Sequence, residues 1–174
     1  MPLTLLLGGA RSGKSGLAVR MASAWPGPLV LVATAEAGDE EMAARIEHHR
    51  HERGEAWTTL EEPLELARAL AEASPDAFLV VDCLTLWVAN QLEAGRSEKA
   101  AEQAAYEAAA LAAARASPTV VVSNEVGLGI VPRTPLGRSY RDLLGRVNAA
   151  FSLAADSAYL VVAGRTLELG RPLA

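Results

Sequence analysis

The sequence has few of the features that mark secreted or membrane-spanning proteins. It contains one cysteine, Cys83, which cannot form an internal disulfide, and this favours the reducing environment of the cytoplasm. Its longest apolar stretches, such as residues 29–35, have the length of a strand and fall far short of the roughly 18 residues that a membrane-spanning helix requires. No basic residue precedes the apolar residues Leu3 to Leu7, so the start of the chain is unlike a secretory signal. We therefore expect a cytoplasmic protein without a membrane span.

Basic charge is also scarce. The formal net charge at pH 7 is −5, and a surface that neutralises nucleic-acid phosphates needs a basic face, so we expect no nucleic-acid partner. Small anions remain possible ligands. Only two of the 16 basic residues are lysines, Lys14 and Lys99, which makes the position of Lys14 informative.

The apolar content is high enough for a folded domain. Hydrophobic residues make up 51% of the chain and charged residues 21%, a composition far from that of disordered proteins. The length of 174 residues corresponds to one compact domain, and no stretch rich in Gly, Pro or Ser separates a second one. We therefore expect a single domain over residues 1–174.

Short apolar runs alternate with helical patterns along the chain, which predicts an α/β fold with β-α-β crossovers and a mainly parallel sheet. The runs lack the alternation of half-exposed strands and predict buried strands at Leu3–Leu7, Leu29–Ala33, Phe78–Asp82, Thr119–Ser123 and Ala158–Ala163. Gly164-Arg165 predicts a turn into a C-terminal antiparallel strand at Thr166–Leu169. Helices are predicted at Lys14–Ala24, Asp39–Arg53, Pro63–Ala73, Thr85–Ala94, Glu98–Ala116 and Leu136–Ala155.

A phosphate-binding loop follows the first predicted strand directly. The segment GGARSGKS matches G-x-x-x-x-G-K-[ST] and lies between a strand and a helix, as that motif requires. The glycines let backbone N–H groups point at phosphate oxygens, the lysine reaches the β and γ phosphates, and the hydroxyl of the last residue ligates Mg²⁺. The motif predicts a nucleoside triphosphate site, on a three-layer P-loop NTPase fold of the RecA-like type, at Gly8, Gly9, Ala10, Arg11, Ser12, Gly13, Lys14 and Ser15.

A second magnesium ligand is expected at the end of a neighbouring strand. Parallel sheets with such a loop place an acidic residue there, where it holds the metal through water. The segment Phe78-Leu79-Val80-Val81-Asp82 fits this pattern, which assigns the metal to Ser15 and Asp82. Asp is also common at strand ends as a plain capping residue. The adjacent Cys83 is interpreted as a small buried hydrophobe.

All three histidines lie in one predicted helix, at His48, His49 and His51. On an ideal helix His49 falls on the apolar stripe with Met42 and Ile46, whereas His48 points away from it. Three interpretations remain open from spacing alone. The segment provides a metal site using His48, His51 and Glu52, or a solvated polar face, or an imidazole nucleophile that attacks phosphorus.

Four segments together resemble the bifunctional cobinamide kinase and cobinamide-phosphate guanylyltransferase family of cobalamin biosynthesis. They are GGARSGKS, DEEMAARIEHHRHERGEAWTTLE, VVDCLTLWVANQL and SNEVGLGIVPRTPLGRSYRDLLGRVNAAFSLAAD, and they cover nearly the whole chain in the family's order. The blocks E-M-x-x-R-I-x-x-H and N-E-V-G-x-G-I-V-P are far more specific than the phosphate loop. In that family the guanylylated histidine follows R-I by two positions, which is His48 here.

The resemblance also implies the substrates and further site residues. It implies adenosylcobinamide and its phosphate as corrinoid substrates, ATP and GTP as nucleotides, Mg²⁺, and a homotrimer. The guanine nucleotide site would be lined by Ala33, Thr34, Ala35, His49, Arg50, His51, Glu52, Glu61 and Asp82. One departure is Arg53-Gly54, where family members usually have Arg-Pro, and this puts the local loop geometry in doubt more than the chemistry.

The segment after the fourth predicted strand is a candidate substrate or interface region. Asn124 and Glu125 leave the carboxyl end of that strand, the edge at which parallel α/β sheets bind ligands. Four arginines follow against one acidic residue, Asp142, and would complement phosphates, an acidic patch of another subunit or only solvent: Arg133, Arg138, Arg141 and Arg146.

These observations favour an enzyme that works in two steps. Lys14 and Mg²⁺ would support transfer of a γ-phosphate from ATP or GTP to adenosylcobinamide, and His48 would then attack the α-phosphate of GTP and pass GMP to the cobinamide phosphate. The alternatives are a P-loop kinase of another small metabolite, with structural histidines, and a nucleotide-switched binding module or motor subunit of the RecA type.

Overall fold

The computed structural model of the chain describes residues 3–35 and 56–171. These ranges contain seven strands: β1 (Leu3–Leu7), β2 (Leu29–Ala33), β3 (Trp57–Glu61), β4 (Phe78–Asp82), β5 (Thr119–Val122), β6 (Ser157–Val162) and β7 (Arg165–Leu169). They also contain five helices: α1 (Lys14–Ala22), α2 (Leu66–Glu72), α3 (Leu84–Glu93), α4 (Glu98–Ala114) and α5 (Pro135–Ala154).

All seven strands form one sheet in the order β3-β2-β4-β5-β1-β6-β7. Every neighbouring pair is parallel except β6 and β7, which form the antiparallel hairpin at one end of the sheet. The carboxyl ends of the first six strands therefore meet at one edge, which is the ligand-binding edge of open α/β sheets. This architecture confirms the predicted fold class, including the C-terminal hairpin.

Alternating side chains divide the core into two layers, one on each face of the sheet. Leu3 and Leu5 of β1 pack on the side of α2, α3, α4 and α5, whereas Leu6 packs with Ala18 and Ala22 of α1 on the other side. The long helix α4 packs against α2 and α5 through small side chains. The four that are fully buried recur at the spacing of one helix face: Ala101, Ala105, Ala108 and Ala112.

The predicted strands agree closely with the observed ones, with one omission. β1, β2 and β4 have the predicted bounds, and β5 ends one residue earlier. β3 was not expected from the sequence, because Trp57-Thr58-Thr59-Leu60-Glu61 contains no continuous apolar run. It is an edge strand with half-exposed side chains, and such strands form without a continuous apolar run.

Two further predictions are corrected by the structure. The last parallel strand is not buried throughout, since only Ala158 and Val161 of β6 are enclosed and its neighbour β7 is largely exposed. Helix α2 begins at Leu66 and not at Pro63. Its start is delayed because the carboxylate of Glu62 accepts hydrogen bonds from the backbone N–H groups of Leu64 (3.1 Å) and Glu65 (2.8 Å), which holds residues 62–65 in a turn.

The helix predicted at Asp39–Arg53 lies outside the described residues. None of the helices within the described ranges has the combination of length and apolar character needed to cross a membrane.

Candidate nucleotide site at the carboxyl edge

The loop between β1 and α1 is shaped by glycine at two positions. A Cβ atom at Gly8 would lie 2.2 Å from the carbonyl oxygen of Val161 in β6, which no side chain tolerates. Gly13 has φ +99° and precedes the first residue of α1, a left-handed conformation that favours glycine. The motif therefore places glycine where the neighbouring strand and the helix start both require it.

Lys14 is the most enclosed charged residue of the loop. Its ammonium group donates hydrogen bonds to the carbonyl oxygens of Gly8 (2.9 Å) and Gly9 (2.7 Å) and to the hydroxyl of Ser12 (3.3 Å), and the residue is only 6% exposed. Burial lowers the pKa of Lys14, and the neighbouring Cys83 and Asp82 act in the opposite direction. The ammonium group is thus held inside the loop, close to the end of β4.

The turn of the C-terminal hairpin supports the loop from outside. The backbone N–H of Gly164 donates to the carbonyl oxygen of Ser12 at 2.8 Å. Gly164 also lies close to Gly13, because a Cβ atom built on Gly13 would be 3.5 Å from the Cα atom of Gly164. Ala163 and Gly164 have φ of +49° and +76°, the pair of positive values that a type I′ hairpin turn requires. The hairpin therefore fixes the middle of the phosphate loop.

Three predicted site residues lie side by side where the strands end. In the sheet register Ala33 is paired with Glu61 on one side and with Asp82 on the other. The structure therefore brings Ala33, Glu61 and Asp82 together in a row at the carboxyl edge. The register continues from Asp82 to Val122 of β5 and from Val122 to Leu6 of β1, just before the phosphate loop.

Asp82 and Ser15 offer the oxygen ligands that a magnesium ion prefers. Among the described residues, no side chain or backbone group bonds the Asp82 carboxylate or the Ser15 hydroxyl, so both remain open to a ligand. Mg²⁺ takes oxygen donors, keeps several waters and is usually bound by one or two protein groups together with substrate phosphates. The donor set at this edge fits that ion.

Thr34 is held by hydrogen bonds to the segment that follows β4. It is fully buried. Its hydroxyl donates a hydrogen bond to the carbonyl oxygen of Cys83 (2.7 Å), and the Thr34 hydroxyl oxygen accepts one from the N–H of Cys83 (2.8 Å). Asn90 of α3 donates to the carbonyl oxygen of Thr34 at 2.8 Å. Through these bonds Thr34 joins the end of β2 to the residue that follows Asp82, and Ala33 and Ala35 on either side of it are partly exposed.

The segment after β5 is anchored to both sides of the site. The N–H of Ser123 donates to Leu6 O (2.9 Å) and that of Glu125 donates to Gly8 O (3.1 Å), which ties the segment to the phosphate loop. Between them, the N–H of Asn124 donates to the hydroxyl of Thr85 at 2.8 Å, in the turn that follows Asp82. Thr85 was not singled out by the sequence analysis, because a threonine in the first turn of a helix carries no distinctive signal.

Burial raises two pKa values beside this segment. The pKa of the Cys83 thiol rises to about 11, mainly because of burial and additionally because of the negative charge of Asp82. The pKa of Tyr140 on α5 rises to about 12, again mainly by burial, with a smaller contribution from Cys83. Tyr140 donates to the carbonyl oxygen of Thr85 at 3.3 Å. Both groups are therefore neutral at physiological pH, and Cys83 packs with the apolar residues on the α1 side.

The four arginines do not form one anion site. Arg146 pairs with Glu98 (2.6 Å) and Glu102 (3.0 Å) of α4, and Arg141 pairs with the adjacent Asp142. Arg138 donates to the carbonyl oxygens of Pro132 and Arg133. Of the four, only Arg133 is left with an exposed side chain that bonds to no described residue.

Apolar side chains are exposed around Arg133. Leu128, Ile130 and Val131 precede it and Leu136 follows it, with exposures of 84%, 97%, 61% and 68%.

The remaining predicted site residues are His48, His49, Arg50, His51 and Glu52, and they lie outside the described residues.

Comparison with known proteins identifies close relatives. A sequence profile described as cobinamide kinase / cobinamide phosphate guanyltransferase matches residues 4–169. The bifunctional adenosylcobalamin biosynthesis protein CobP of Pseudomonas aeruginosa is 43% identical over 173 residues, which cover 97% of this chain and 98% of the relative. The bifunctional adenosylcobalamin biosynthesis proteins CobU of Salmonella typhimurium and Escherichia coli are 41% and 39% identical, and each match covers 93% of this chain and 96% of the relative.

Proposed function

Since the chain belongs to the cobinamide kinase / cobinamide phosphate guanyltransferase family, we propose that it carries out both reactions of that name. The substrates proposed are adenosylcobinamide and its phosphate, with ATP or GTP as the nucleotide of the first step and GTP as that of the second. The observation that carries the proposal is the phosphate loop, in which Lys14 is enclosed and lies close to Asp82. Both the loop and Asp82 lie within the region that the family profile matches.

In the first reaction a hydroxyl group of the aminopropanol arm of adenosylcobinamide receives the γ-phosphate. A bond forms between the hydroxyl oxygen and the γ phosphorus, the bond from that phosphorus to the bridging β oxygen breaks, and the hydroxyl proton is released. Lys14 moves from loop carbonyl oxygens to the β and γ phosphates when a nucleotide binds, and its charge stabilises the leaving diphosphate. Asp82 and Ser15 would hold Mg²⁺, which would add positive charge at the phosphates.

In the second reaction His48 is the nucleophile. Its neutral imidazole attacks the α phosphorus of GTP, pyrophosphate leaves, and a guanylyl-histidine forms. An oxygen of the cobinamide phosphate then displaces the imidazole, so that adenosylcobinamide-GDP is released and the histidine is regenerated. Imidazole suits both steps, because it is a good nucleophile when neutral and a good leaving group when protonated.

We further propose a homotrimer and a cytoplasmic location. The homotrimer is what the family resemblance implies, and the cytoplasmic location is supported by the single cysteine and by the use of nucleoside triphosphates as substrates.

The decisive experiment is a labelling assay with purified protein, Mg²⁺ and GTP that carries radioactive phosphorus at either the α or the γ position. We expect protein-bound label from the α position only, released by acid as expected for a phosphorus–nitrogen bond, and absent from His48→Ala. His49→Ala and His51→Ala remove the other two imidazoles. Both should still become labelled at saturating GTP, because only the His48 imidazole attacks the phosphorus, although a higher GTP concentration will be needed since both residues are proposed to line the nucleotide site.

A parallel assay with adenosylcobinamide and γ-labelled nucleotide tests the kinase step, in which His48→Ala should remain active. If wild type binds GTP but forms no label from the α position, the guanylyl-histidine step is contradicted. Phosphorylation of adenosylcobinamide in the parallel assay would then leave the kinase reaction alone.

A further inference from the structure

We infer that the side-chain amide of Asn124 contacts the γ-phosphoryl group of the bound nucleotide during transfer, and that Thr85 and Asn148 position it for this contact. The inference rests on the kinase activity proposed above. It adds a residue to the reaction on the strength of the hydrogen bonds around Asn124.

The strand order places Asn124 between the two halves of the triphosphate site. β5 lies directly between β4, which ends at Asp82, and β1, which leads into the phosphate loop. Val122 is in register with Asp82 on one side and with Leu6 on the other. Because neighbouring strands are about 4.8 Å apart and the chain advances about 3.3 Å per residue, a residue two positions beyond Val122 lies within about 8 Å of the ends of both strands.

The backbone of Asn124 is held by two side chains from different helices. Its N–H donates to the Thr85 hydroxyl of α3 at 2.8 Å, and its carbonyl oxygen accepts from the side-chain amide of Asn148 on α5 at 3.0 Å. Asn148 is itself fixed, because the hydroxyl of the fully buried Ser123 donates to its amide oxygen at 2.6 Å. Two buried polar side chains and the partly buried Thr85 are thus committed to fixing one short turn of backbone.

Because both backbone polar groups of Asn124 are bonded, its side-chain amide is the group that is free to bind a ligand. Within residues 3–35 and 56–171 its amide makes no hydrogen bond, while both of its backbone polar groups are bonded. A side-chain amide offers N–H donors to phosphoryl oxygens without adding charge. A preorganised donor aimed at developing charge typically contributes on the order of 10² to 10³ in rate.

In the step concerned, the Asn124 amide donates to an oxygen of the γ-phosphoryl group while that group passes from the β oxygen to the acceptor hydroxyl oxygen. No proton moves to or from Asn124. The guanylyl step breaks the bond from the α phosphorus to the oxygen that bridges it to the β phosphorus, so the Asn124 amide has no such role there.

The first test measures nucleotide binding and needs no corrinoid. For wild type, Asn124→Ala and Asn124→Asp, the affinities for a non-hydrolysable β,γ-imido triphosphate and for the corresponding diphosphate are measured by calorimetry with Mg²⁺. We expect the preference for the triphosphate to fall about tenfold in Asn124→Ala, because a hydrogen bond to a charged group is lost, and further in Asn124→Asp, which adds negative charge. Diphosphate affinity should stay unchanged.

The second test measures transfer. In Asn124→Ala the kcat of cobinamide phosphorylation should fall on the order of 10²-fold, while the protein label from α-labelled GTP is retained. Thr85→Val removes the oxygen that accepts from Asn124 and should lower the same kcat, and Thr85→Ser should restore it. Gln103→Ala is a matched loss of an exposed amide on α4 and should behave as wild type.

The outcomes separate this inference from the proposed function. Triphosphate preference and kcat within about threefold of wild type in Asn124→Ala would overturn it, and so would an equal loss of kinase activity and α label. If the wild-type protein binds nucleotides but phosphorylates no cobinamide, the proposed function fails, whereas a lost triphosphate preference in Asn124→Ala still supports the contact.

Discussion

At the level of single residues, the candidate site is held by side chains that bond to backbone groups, two of them in distant segments and one in its own loop. Thr34 bonds to the backbone of Cys83, Asn148 to that of Asn124, and Lys14 to two carbonyl oxygens of its own loop. Each bond fixes the path of the chain where a strand ends. The catalytic edge is therefore positioned by polar groups that satisfy one another, which costs little because buried polar groups are paired.

The raised pKa of Cys83 predicts that the free energy of unfolding depends on pH in the alkaline range. Its thiol has an ordinary pKa of 9.0 and a pKa of about 11 in the fold, so the unfolded chain releases this proton first. The stabilising contribution is complete below about pH 9 and is lost as the pH rises toward about 11. We expect the free energy of unfolding to fall over this range, and to fall less in Cys83→Ala, as measured by urea denaturation at several pH values.

The comparison must use the change with pH and not the absolute stability, because Cys83→Ala also leaves a small cavity. Tyr140→Phe should also reduce the fall in the free energy of unfolding with pH, at the highest pH values, since the pKa of Tyr140 is raised as well. The lowered pKa of Lys14 has the opposite sign, but Lys14 is present in all three proteins. Parallel curves for wild type and Cys83→Ala would contradict the assignment.

Which single residues belong to the site could be predicted from the sequence only in part. The positions of the phosphate loop and of Asp82 at the carboxyl edge were predictable, because they depend on local spacing and on the end of one strand. The roles of Thr85 and Asn148 were not, because their partners are 39 and 24 residues away along the chain. Thr34 was assigned to the nucleotide from family resemblance, and its observed bonds to Cys83 suit a residue that positions backbone.

At the level of elements, the phosphate loop depends on its contact with β6 and with the hairpin turn. Gly8 passes so close to β6 that there is no room for a side chain, and Gly164 bonds to the carbonyl oxygen of Ser12. The C-terminal hairpin is therefore part of the site's scaffold, although it contains no residue of the motif.

This contact predicts that alanine destabilises the protein much more at Gly8 than at the adjacent Gly9. Gly8→Ala would place a Cβ atom 2.2 Å from the Val161 carbonyl oxygen and should lower the free energy of unfolding by about 3 kcal/mol, because backbone must shift. Gly9→Ala is the matched control, since a Cβ atom there has no neighbour within 4 Å, and it should cost less than about 1 kcal/mol. Equal stabilities in chemical denaturation would show that β6 yields easily and does not brace the loop.

Elements were more predictable than side-chain partners, for a physical reason. Strands buried on both faces are continuous apolar runs, so β1, β2 and β4 could be bounded to the residue. The edge strand β3 is half exposed and contains Thr58 and Thr59, and its pairing with β2 depends on the tertiary fold. The start of α2 depends on hydrogen bonds from the backbone of Leu64 and Glu65 to the Glu62 carboxylate, which propensity does not specify.

At the level of the whole molecule, chain topology concentrates the chemistry at one edge of the sheet. The segments that follow β1, β2, β3, β4 and β5 are far apart in sequence and meet there, because these strands are parallel and their carboxyl ends align. The two core layers on either face of the sheet hold these ends in place. Ligand binding at this edge should therefore stabilise the whole fold and not one loop alone.

The last prediction follows from that coupling. A ligand that binds only the folded state adds about 2.7 kcal/mol of stability at a hundredfold excess over its Kd, which for a chain of this size corresponds to a rise in the thermal midpoint of roughly 5 to 10 °C. We expect Mg²⁺ with GTP to produce such a rise in wild type. Lys14→Met should abolish it, because the ammonium group that reaches the β and γ phosphates is lost.

The unliganded midpoint separates binding from folding in this experiment. It should change little in Lys14→Met, since burial already disfavours the charged form of Lys14 and the loop glycines keep the backbone path. Lys99→Met removes the only other lysine, which is exposed on α4, and should keep the full rise with GTP. A rise that survives in Lys14→Met would mean that the nucleotide is held elsewhere, because no second lysine lies in the phosphate loop to replace it.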